Sequence, residues 1–408
     1  MIKFSCDFET TTDLNDCRVW AYACCEVGDP ENFIYGNSLD DFMKWCANSR
    51  RNYVCYFHNL KFDGSFILDW LLKNGFEYVH NKKDRRDKTF TTLITDTGQF
   101  YQITVWFKLQ GTHVNKVVFQ DSLKILNFSV EAIAKGFNLP IRKLSIDYKA
   151  KREIGHELTP EEIDYIRNDV EIISRALDIM FKQGLDKMTI ASDALASFKD
   201  HCKRFRFFFP NLKQEVDESM RLSYKGGFTY CSPVHAGEKV QDGVVFDVNS
   251  LYPSRLRNEL MPYGEGERFQ GKYKKDENFP LYIQELTCSF KIKKNKIPSI
   301  QLKHCLSFMP NEYIESSKDE LITMSLTKPD LELFFNQYDV KVKAYEGGWK
   351  FKAIRGVFNS YIDHWTEEKI KAKKEGNAPQ YLIAKLMLNL CTVSLVLVLP
   401  DARKYQYL

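Results

Sequence analysis

Acidic residues stand in this chain where the apolar pattern predicts burial, and that constrains the fold more than any other feature. Asp7 interrupts "FSCDFE" and Asp63 interrupts "LKFDGSFIL". An unpaired carboxylate in an apolar interior is expensive, so acids at such positions want cations. The stretch "IKFSCDFET" alternates and reads as a strand. Asp7 and Glu9, two apart, then face the same side of it. "NYVCYFHN" reads as a second strand, running into an amphipathic helix stopped by Gly75. Asn59 and Asp63, four apart, share a face where strand passes into helix. "TPEEIDYIRNDVEIISRALDIMFKQG" is the plainest helix in the chain. Thr159 caps it, Pro160 starts it, Glu161 and Glu162 favour its positive end and Gly184 closes it. Tyr165 and Asp169, four apart, lie on one of its faces. Taken singly, each pair reads as a solvated surface. Taken together, three segments offering carboxylates to one point predict a site for two divalent metals. Such a pair activates water and stabilises a leaving alkoxide in phosphodiester hydrolysis. Tyr165 would orient the attacking water.

The chain has 408 residues, more than one ordinary core needs, which predicts two or three domains. With 44% hydrophobic and 27% charged residues it is a globular protein and not a disordered one. A net charge of +4 permits a polyanionic partner without demanding one. Eleven scattered cysteines without a CxxC pair read as free thiols in a reducing cytoplasm. The N-terminus lacks the pattern of a signal peptide. The apolar run from Leu390 to Leu399 is shorter than the roughly 20 residues a bilayer-spanning helix takes, so no membrane is expected.

"TTLITDTGQFYQITVWFKLQG" and "NKVVFQDSL" continue the first sheet. A second region begins near Thr189 and contains "YKGGFTY" and "GVVFDVNSLYPS", the latter reading as a strand that turns at Pro253. Residues 260–356 are mixed and Lys-rich, with short strands and turns. "GVFNSYIDHWTEEKIKAKKEG" is a helix ending at Gly376, and "PQYLIAKLMLN" begins another. The residues after it are apolar and β-branched, and read as a β-like string.

In order and spacing, "DFET", "YFHNLKFDG" and "YIRND" resemble the three motifs of the proofreading exonuclease domain of family B DNA polymerases, most closely those of the protein-primed subgroup. The resemblance implies an α/β and α+β multidomain architecture whose residues 1–189 form a ribonuclease H-like 3′-5′ exonuclease domain. It implies that Asp7, Glu9, Asp63 and Asp169 hold two ions of Mg²⁺ or Mn²⁺, that Tyr165 helps the water, and that Lys143 in "IRKLSIDY" neutralises the scissile phosphate. His58, Asn59 and Phe62 would touch the single-stranded 3′ end. Ser122, Leu123 and Phe128 in "DSLKILNF" would contact single strands and the terminal protein. Read alone, His58 is more often a satisfied core histidine, Phe62 and Phe128 are equally core, and Lys143 is equally a solvated lysine.

"FDVNSLYPS" resembles motif A of the same family. By that resemblance Asp247 binds both metals in nucleotidyl transfer, assisted by the carbonyl of Val248, and Tyr252 packs under the sugar of the incoming nucleotide. The apolar setting of Asp247 predicts burial. "YKGGF" resembles the motif between the exonuclease and polymerase regions, where Tyr224, Gly226 and Gly227 would hold primer-template DNA; a plain tight turn is the alternative. "AKLMLN" resembles the start of motif B, with Lys385 and Lys369 toward the triphosphate. The implied division is 190–259 for the first part of the palm, 260–356 for the insertion that docks the terminal protein, 357–389 for the start of the fingers, and 390–408 for a tail outside the family pattern. After "KLMLN" the family continues Ser-Leu-Tyr-Gly-Lys. Here Leu-Cys-Thr-Val-Ser follows, which is what one coding of the family peptide reads after loss of its first base. A frameshift after Asn389 is therefore expected, leaving a truncated chain without the family's Tyr-x-Asp-Thr-Asp motif or thumb.

The implied protein is a phage- or linear-plasmid-type DNA-directed DNA polymerase with 3′-5′ proofreading, acting in the cytoplasm of a bacterial host. It would be a monomer that works on single-stranded and primer-template DNA, deoxynucleoside triphosphates and a terminal protein. This chain is expected to be exonuclease-competent and polymerisation-defective. A non-catalytic remnant that binds DNA or terminal protein is the alternative.

Overall fold

The computed structural model describes residues 1–13, 15–48, 51–110, 113–225, 227–301 and 313–397. The chain divides into compact units, the first holding Met1–Ala196 with His364–Cys391 and the second holding Ser197–Asp363.

The first unit is organised by an eight-stranded mixed sheet. Its strands are β1 (Ile2–Thr10), β2 (Val19–Glu26), β3 (Asp29–Gly36), β4 (Tyr53–Phe57), β5 (Glu77–Tyr78), β6 (Thr89–Ile94), β7 (Phe100–Gln110) and β8 (His113–Asp121). They lie in the order β3-β2-β1-β4-β8-β7-β6-β5. β1 is antiparallel to β2 and parallel to β4, so it sits inside the sheet with both faces covered. Helices α1 (Leu39–Ala47), α2 (Leu60–Lys73), α3 (Val130–Gly136) and α4 (Pro160–Lys182) complete its N-terminal part.

Strand periodicity sorts β1 into two chemistries. Phe4, Cys6 and Phe8 enter the apolar core that also takes Phe42 of α1 and Leu60, Ile67 and Leu71 of α2. Asp7 and Glu9 fall on the opposite face. There α4 packs Tyr165, Ile166 and Val170 onto Trp20, Ala21, Ala23 and Cys25 of β2. The cross-strand neighbours of Asp7 and Glu9 are Ala23 and Ala21. Methyl side chains beside the two acids leave room for carboxylates between β1 and α4.

α4 forms as its sequence dictates. The Glu162 N–H donates to Thr159 Oγ1 at 3.2 Å, and the Thr159 N–H donates to Glu162 Oε2 at 3.0 Å, a reciprocal capping box. α2 starts differently. Asn59 precedes it in the left-handed region, with φ 81°, a conformation asparagine tolerates better than most residues. Its N–H donates to Asp121 Oδ1 at 3.1 Å.

The second unit contains α6 (Phe205–Phe208), α7 (Gln214–Ser223), α8 (Leu251–Asn258) and α9 (Lys328–Gln337), after a helix α5 (Ile190–His201) that begins in the first unit. Its antiparallel sheet of β9 (Leu260–Phe269), β10 (Leu281–Ile292), β11 (Ile322–Thr327) and β12 (Tyr338–Arg355) runs β11-β10-β12-β9. Phe290, Phe334 and Tyr338 pack in its core. Helices α10 (Asn359–Lys374) and α11 (Ala378–Leu397) follow. Among the described residues no helix is long and apolar enough to cross a membrane.

The structure corrects two expectations. Residues 243–248 form no strand, and Asp247 is exposed rather than buried. Strand propensity is realised only against a neighbour, and this run has no pairing partner among the described residues. Pro253, expected at a strand-ending turn, lies in the first turn of α8. Residues 390–397 are not β-like but extend α11. Adding a residue to an existing helix needs no new nucleus, and the leucines of this stretch favour helix.

Because α4 carries Tyr165 and Asp169, its cap bears on the site. Thr159→Ala is expected to cost about 1 kcal/mol of stability, read as a lower urea midpoint with an unchanged slope.

Candidate metal centre

Three elements converge as the sequence predicts. β1 supplies Asp7 and Glu9, α2 supplies Asp63 in its first turn, and α4 supplies Tyr165 and Asp169. One carboxylate oxygen from each of Asp7, Glu9 and Asp169 lies within 4.8 Å of the others. Asp63 lies outside that 4.8 Å group, but it is buried, and the nearby Asp7 charge acts on its carboxyl. The Phe8 N–H steadies both Asp7 and Asp63.

The electrostatics are those of negative charge short of solvent. Burial, and then the Asp169 charge, push Asp7 up to about 7 against the pull of Lys143. Burial, and then the Asp7 and Asp169 charges, push Glu9 up to about 8. Burial, and then Asp7, drive Asp63 well above the usual carboxylate range. Burial also raises Asp169, although Lys143 works against it. Lys143 Nζ donates to Asp169 Oδ2 at 2.6 Å. Burial works against its ammonium, but the bond and charge of Asp169 outweigh burial and keep it protonated. Burial and the Glu9 charge push the Tyr165 phenol upward, so it stays neutral.

The residues fit divalent cations. Asp63 Oδ1 and Asp169 Oδ1 are buried without a hydrogen-bond partner. Such oxygens are costly unless a cation takes them. An all-oxygen donor set suits a hard ion such as Mg²⁺ or Mn²⁺ rather than a soft one.

Beside the acids, His58 joins the two segments expected to meet single strands. Its Nδ1 lies 3.1 Å from Ser122 Oγ and its Nε2 lies 2.7 Å from the Phe128 carbonyl. Burial lowers its pKa and favours the neutral ring. Ser122 is fully buried, and its Oγ also lies 3.1 Å from the Phe57 carbonyl. Leu123 and Phe128 are half-buried, and Asn59 is exposed. Phe62 is 48% exposed and so is not core; its ring stands edge-to-face with that of Phe66 on α2, centroids 5.6 Å apart.

Two participants escaped the sequence reading. Asp121 Oδ1 accepts from the N–H groups of both Asn59 and Leu123, tying the start of α2 to the turn after β8. Tyr148 OH lies 2.9 Å from Tyr165 OH. The first was legible as an acid inside the apolar "VVFQDSLKIL"; the second comes from an irregular loop and left no periodic signal.

The residues expected of a polymerase site fall on both units. Asp247, Val248 and Tyr252 are exposed in the second unit. Gly226 lies outside the described residues. Tyr224 is exposed, and a Cβ at Gly227 would stand 4.0 Å from Tyr252 OH, so Gly227 comes near Tyr252. Lys369 and Lys385 belong to the first unit, on α10 and α11. Lys369 Nζ lies 5.9 Å over the Tyr381 ring, and Lys385 is exposed.

Residues 46–156 and 151–391 match the family described as DNA polymerase type B, organellar and viral, and the chain belongs to that family. It is 47% identical over 388 residues to the DNA polymerase of Bacillus phage Nf, a match covering 95% of this chain and 66% of that protein. It superposes on the orthorhombic crystal form of phi29 DNA polymerase with a TM-score of 0.88 at 44% identity, covering 96% of this chain and 67% of that one. A phi29 DNA polymerase complexed with single-stranded DNA gives a TM-score of 0.87 at 43% identity, covering 95% and 66%. The chain thus spans about two thirds of the length of its curated relatives.

The raised acids set a pH dependence. Unfolded carboxylates ionise near pH ~4, whereas folded Asp7 and Glu9 do so only at about 7 and about 8. Between those limits the folded state holds more protons, so stability falls as pH rises. Without divalent cations, the melting temperature is expected to be highest toward the acid end of this window and to decline as pH passes through about 8. Mn²⁺ should restore it above that point but not at the acid end, and Asp7→Asn with Glu9→Gln should flatten the slope. Thermal melts across pH, with EDTA or Mn²⁺, check this.

Proposed function

We propose that this chain hydrolyses the terminal phosphodiester at the 3′ end of single-stranded DNA. The observation that carries the reading is the set of Asp7, Glu9 and Asp169 oxygens within 4.8 Å of one another. Bound there with help from Asp63, a pair of Mg²⁺ or Mn²⁺ ions would supply an activated water and charge for the leaving alkoxide. Tyr165, neutral and bonded to Tyr148, orients the water by hydrogen bonding. Lys143, charged and 2.6 Å from Asp169, turns its ammonium to the scissile phosphate when the strand enters. Phe62 offers an exposed ring on which a terminal base stacks. His58, Asn59, Leu123 and Phe128 line the path of the strand. Ser122 acts from within by orienting His58.

In the lineage this module, residues 1–189, serves protein-primed replication of a phage genome inside a bacterial host. Solved complexes of phi29 DNA polymerase hold primer-template DNA and incoming nucleotides. By likeness, Tyr224, Gly226 and Gly227 would hold primer-template, Asp247, Val248 and Tyr252 would serve nucleotidyl transfer, Lys369 and Lys385 would meet the triphosphate, and residues 260–356 would dock a terminal protein. In this chain, however, Asp247 is exposed on a segment that pairs with no strand among the described residues. We therefore assign the single chain nuclease activity without primer extension, as a monomer.

A 5′-labelled oligonucleotide incubated with Mn²⁺ is expected to shorten stepwise from its 3′ end. EDTA should stop the reaction, and Asp7→Ala or Asp169→Asn should slow it at least about 10²-fold. Uncut DNA, or equal cutting by the variants, would sink the assignment, as nucleotide incorporation would sink the absence of extension. Phe62→Ala is expected to weaken single-strand binding by about 1–3 kcal/mol with little change in melting temperature, read by fluorescence anisotropy.

A further inference from the structure

Lys143 and Tyr148 reach the centre from a stretch between α3 and α4 that contains no helix or strand. Nothing periodic fixes such a loop, yet it sets two side chains 2.6 and 2.9 Å from their partners on α4. Something inside the fold must grip it.

Arg152 does so. It is 6% exposed, and its guanidinium lies 4.0 Å over the Trp20 ring. Nε donates to Glu162 Oε1 at 2.8 Å, and Nη1 donates to the carbonyls of Asp147 and Ala150 at 3.1 and 3.2 Å. The Arg152 carbonyl accepts from Arg18. Glu162 Oε2 holds His156 Nε2 at 2.8 Å and the Thr159 N–H at 3.0 Å. His156 sets its ring edge-on to Trp20, and its carbonyl accepts from Asn37 at 3.1 Å. One buried guanidinium therefore ties the loop at residues 147, 150 and 152 to β2 and to the first turn of α4. Tyr165 and Asp169 lie three and seven residues beyond Glu162 on that same helix. The carbonyl gripped at Asp147 immediately precedes Tyr148.

We propose that Arg152, clasped between Glu162 and Trp20, is a positioning residue that sets Lys143 and Tyr148 against Asp169 and Tyr165. The role suits arginine and not lysine. Only a planar fork serves a carboxylate and two carbonyls at once while stacking on an indole. The effect on rate rests on the nuclease reading above; the hold on the loop does not.

The test uses the full chain with Mn²⁺ and a 5′-labelled single-stranded oligonucleotide, under single-turnover conditions. Arg152→Ala is expected to lower the maximal rate about 10²-fold, as misplacement of reacting groups does, and to leave the half-saturating DNA concentration within about two-fold. In a Lys143→Ala, Tyr148→Phe background it should cost little more, because groups acting as a unit are not additive. Hydrogen exchange should rise across residues 141–152 and stay at the wild-type level in β1. Arg152→Lys keeps the charge and the stem over Trp20, so it carries the test should Arg152→Ala fail to fold. It is expected to melt near the wild-type temperature, yet to show the faster loop exchange and a reduced rate. Losses that multiply in full across the backgrounds would overturn the proposal. So would an Arg152→Lys variant with wild-type rate and exchange. Should the wild-type chain cut nothing, the nuclease reading falls by itself. Loop exchange in Arg152→Lys then still decides the clasp, and unchanged exchange overturns it.

Discussion

Mutual repulsion among half-buried and buried carboxylates is the constraint on which the first unit turns. Asp7, Glu9, Asp63 and Asp169 are held together by packing that has nothing to do with charge: Phe4, Cys6 and Phe8 on one side of β1, and Ile166 and Val170 of α4 on the other. Every acid resists ionising there, and Lys143 pulls on Asp7 and Glu9 from a distance but bonds Asp169 directly. A site built in this way is destabilised by its own function. The apolar core that brackets it offsets that cost, which is why Asp7 and Glu9 sit on a central strand rather than at an edge.

Much of this was legible in the residues. The period of two in "IKFSCDFET" put Asp7 and Glu9 on one face, and the spacing of four on a helix capped by Thr159 put Tyr165 and Asp169 on another. Asp63 was legible as an acid in an apolar stretch. Their convergence was an inference from cost, since acids so placed need a shared cation. The rest was hidden for physical reasons. Tyr148 and Arg152 come from irregular backbone, where sequence spacing says nothing of direction. Asp247 was misjudged because local apolar content predicts burial only where a partner surface exists. The helix through residue 397 shows the same in reverse: the neighbouring turn of α11 overrode β-branched composition.

The aromatic and polar residues around His58 show how one segment supports another. Ser122 and the Phe128 carbonyl spend their hydrogen bonds on His58, and Asp121 spends its own on two backbone N–H groups. Among the described residues, the side chains of the surface groups Asn59 and Phe62 make no hydrogen bond that would compete with a strand. Rigid interior and available exterior are thus divided between adjacent residues of single motifs.

The bare run at residues 243–248 has a consequence of another kind. Val244, Val245 and Phe246 are 79%, 95% and 89% exposed, and their backbone groups join no ladder among the described residues. A β-prone strip without a neighbour is an open template onto which extended backbone from another molecule can add. Such a strip weighs on how far the chain stays dispersed, alongside its net charge of +4.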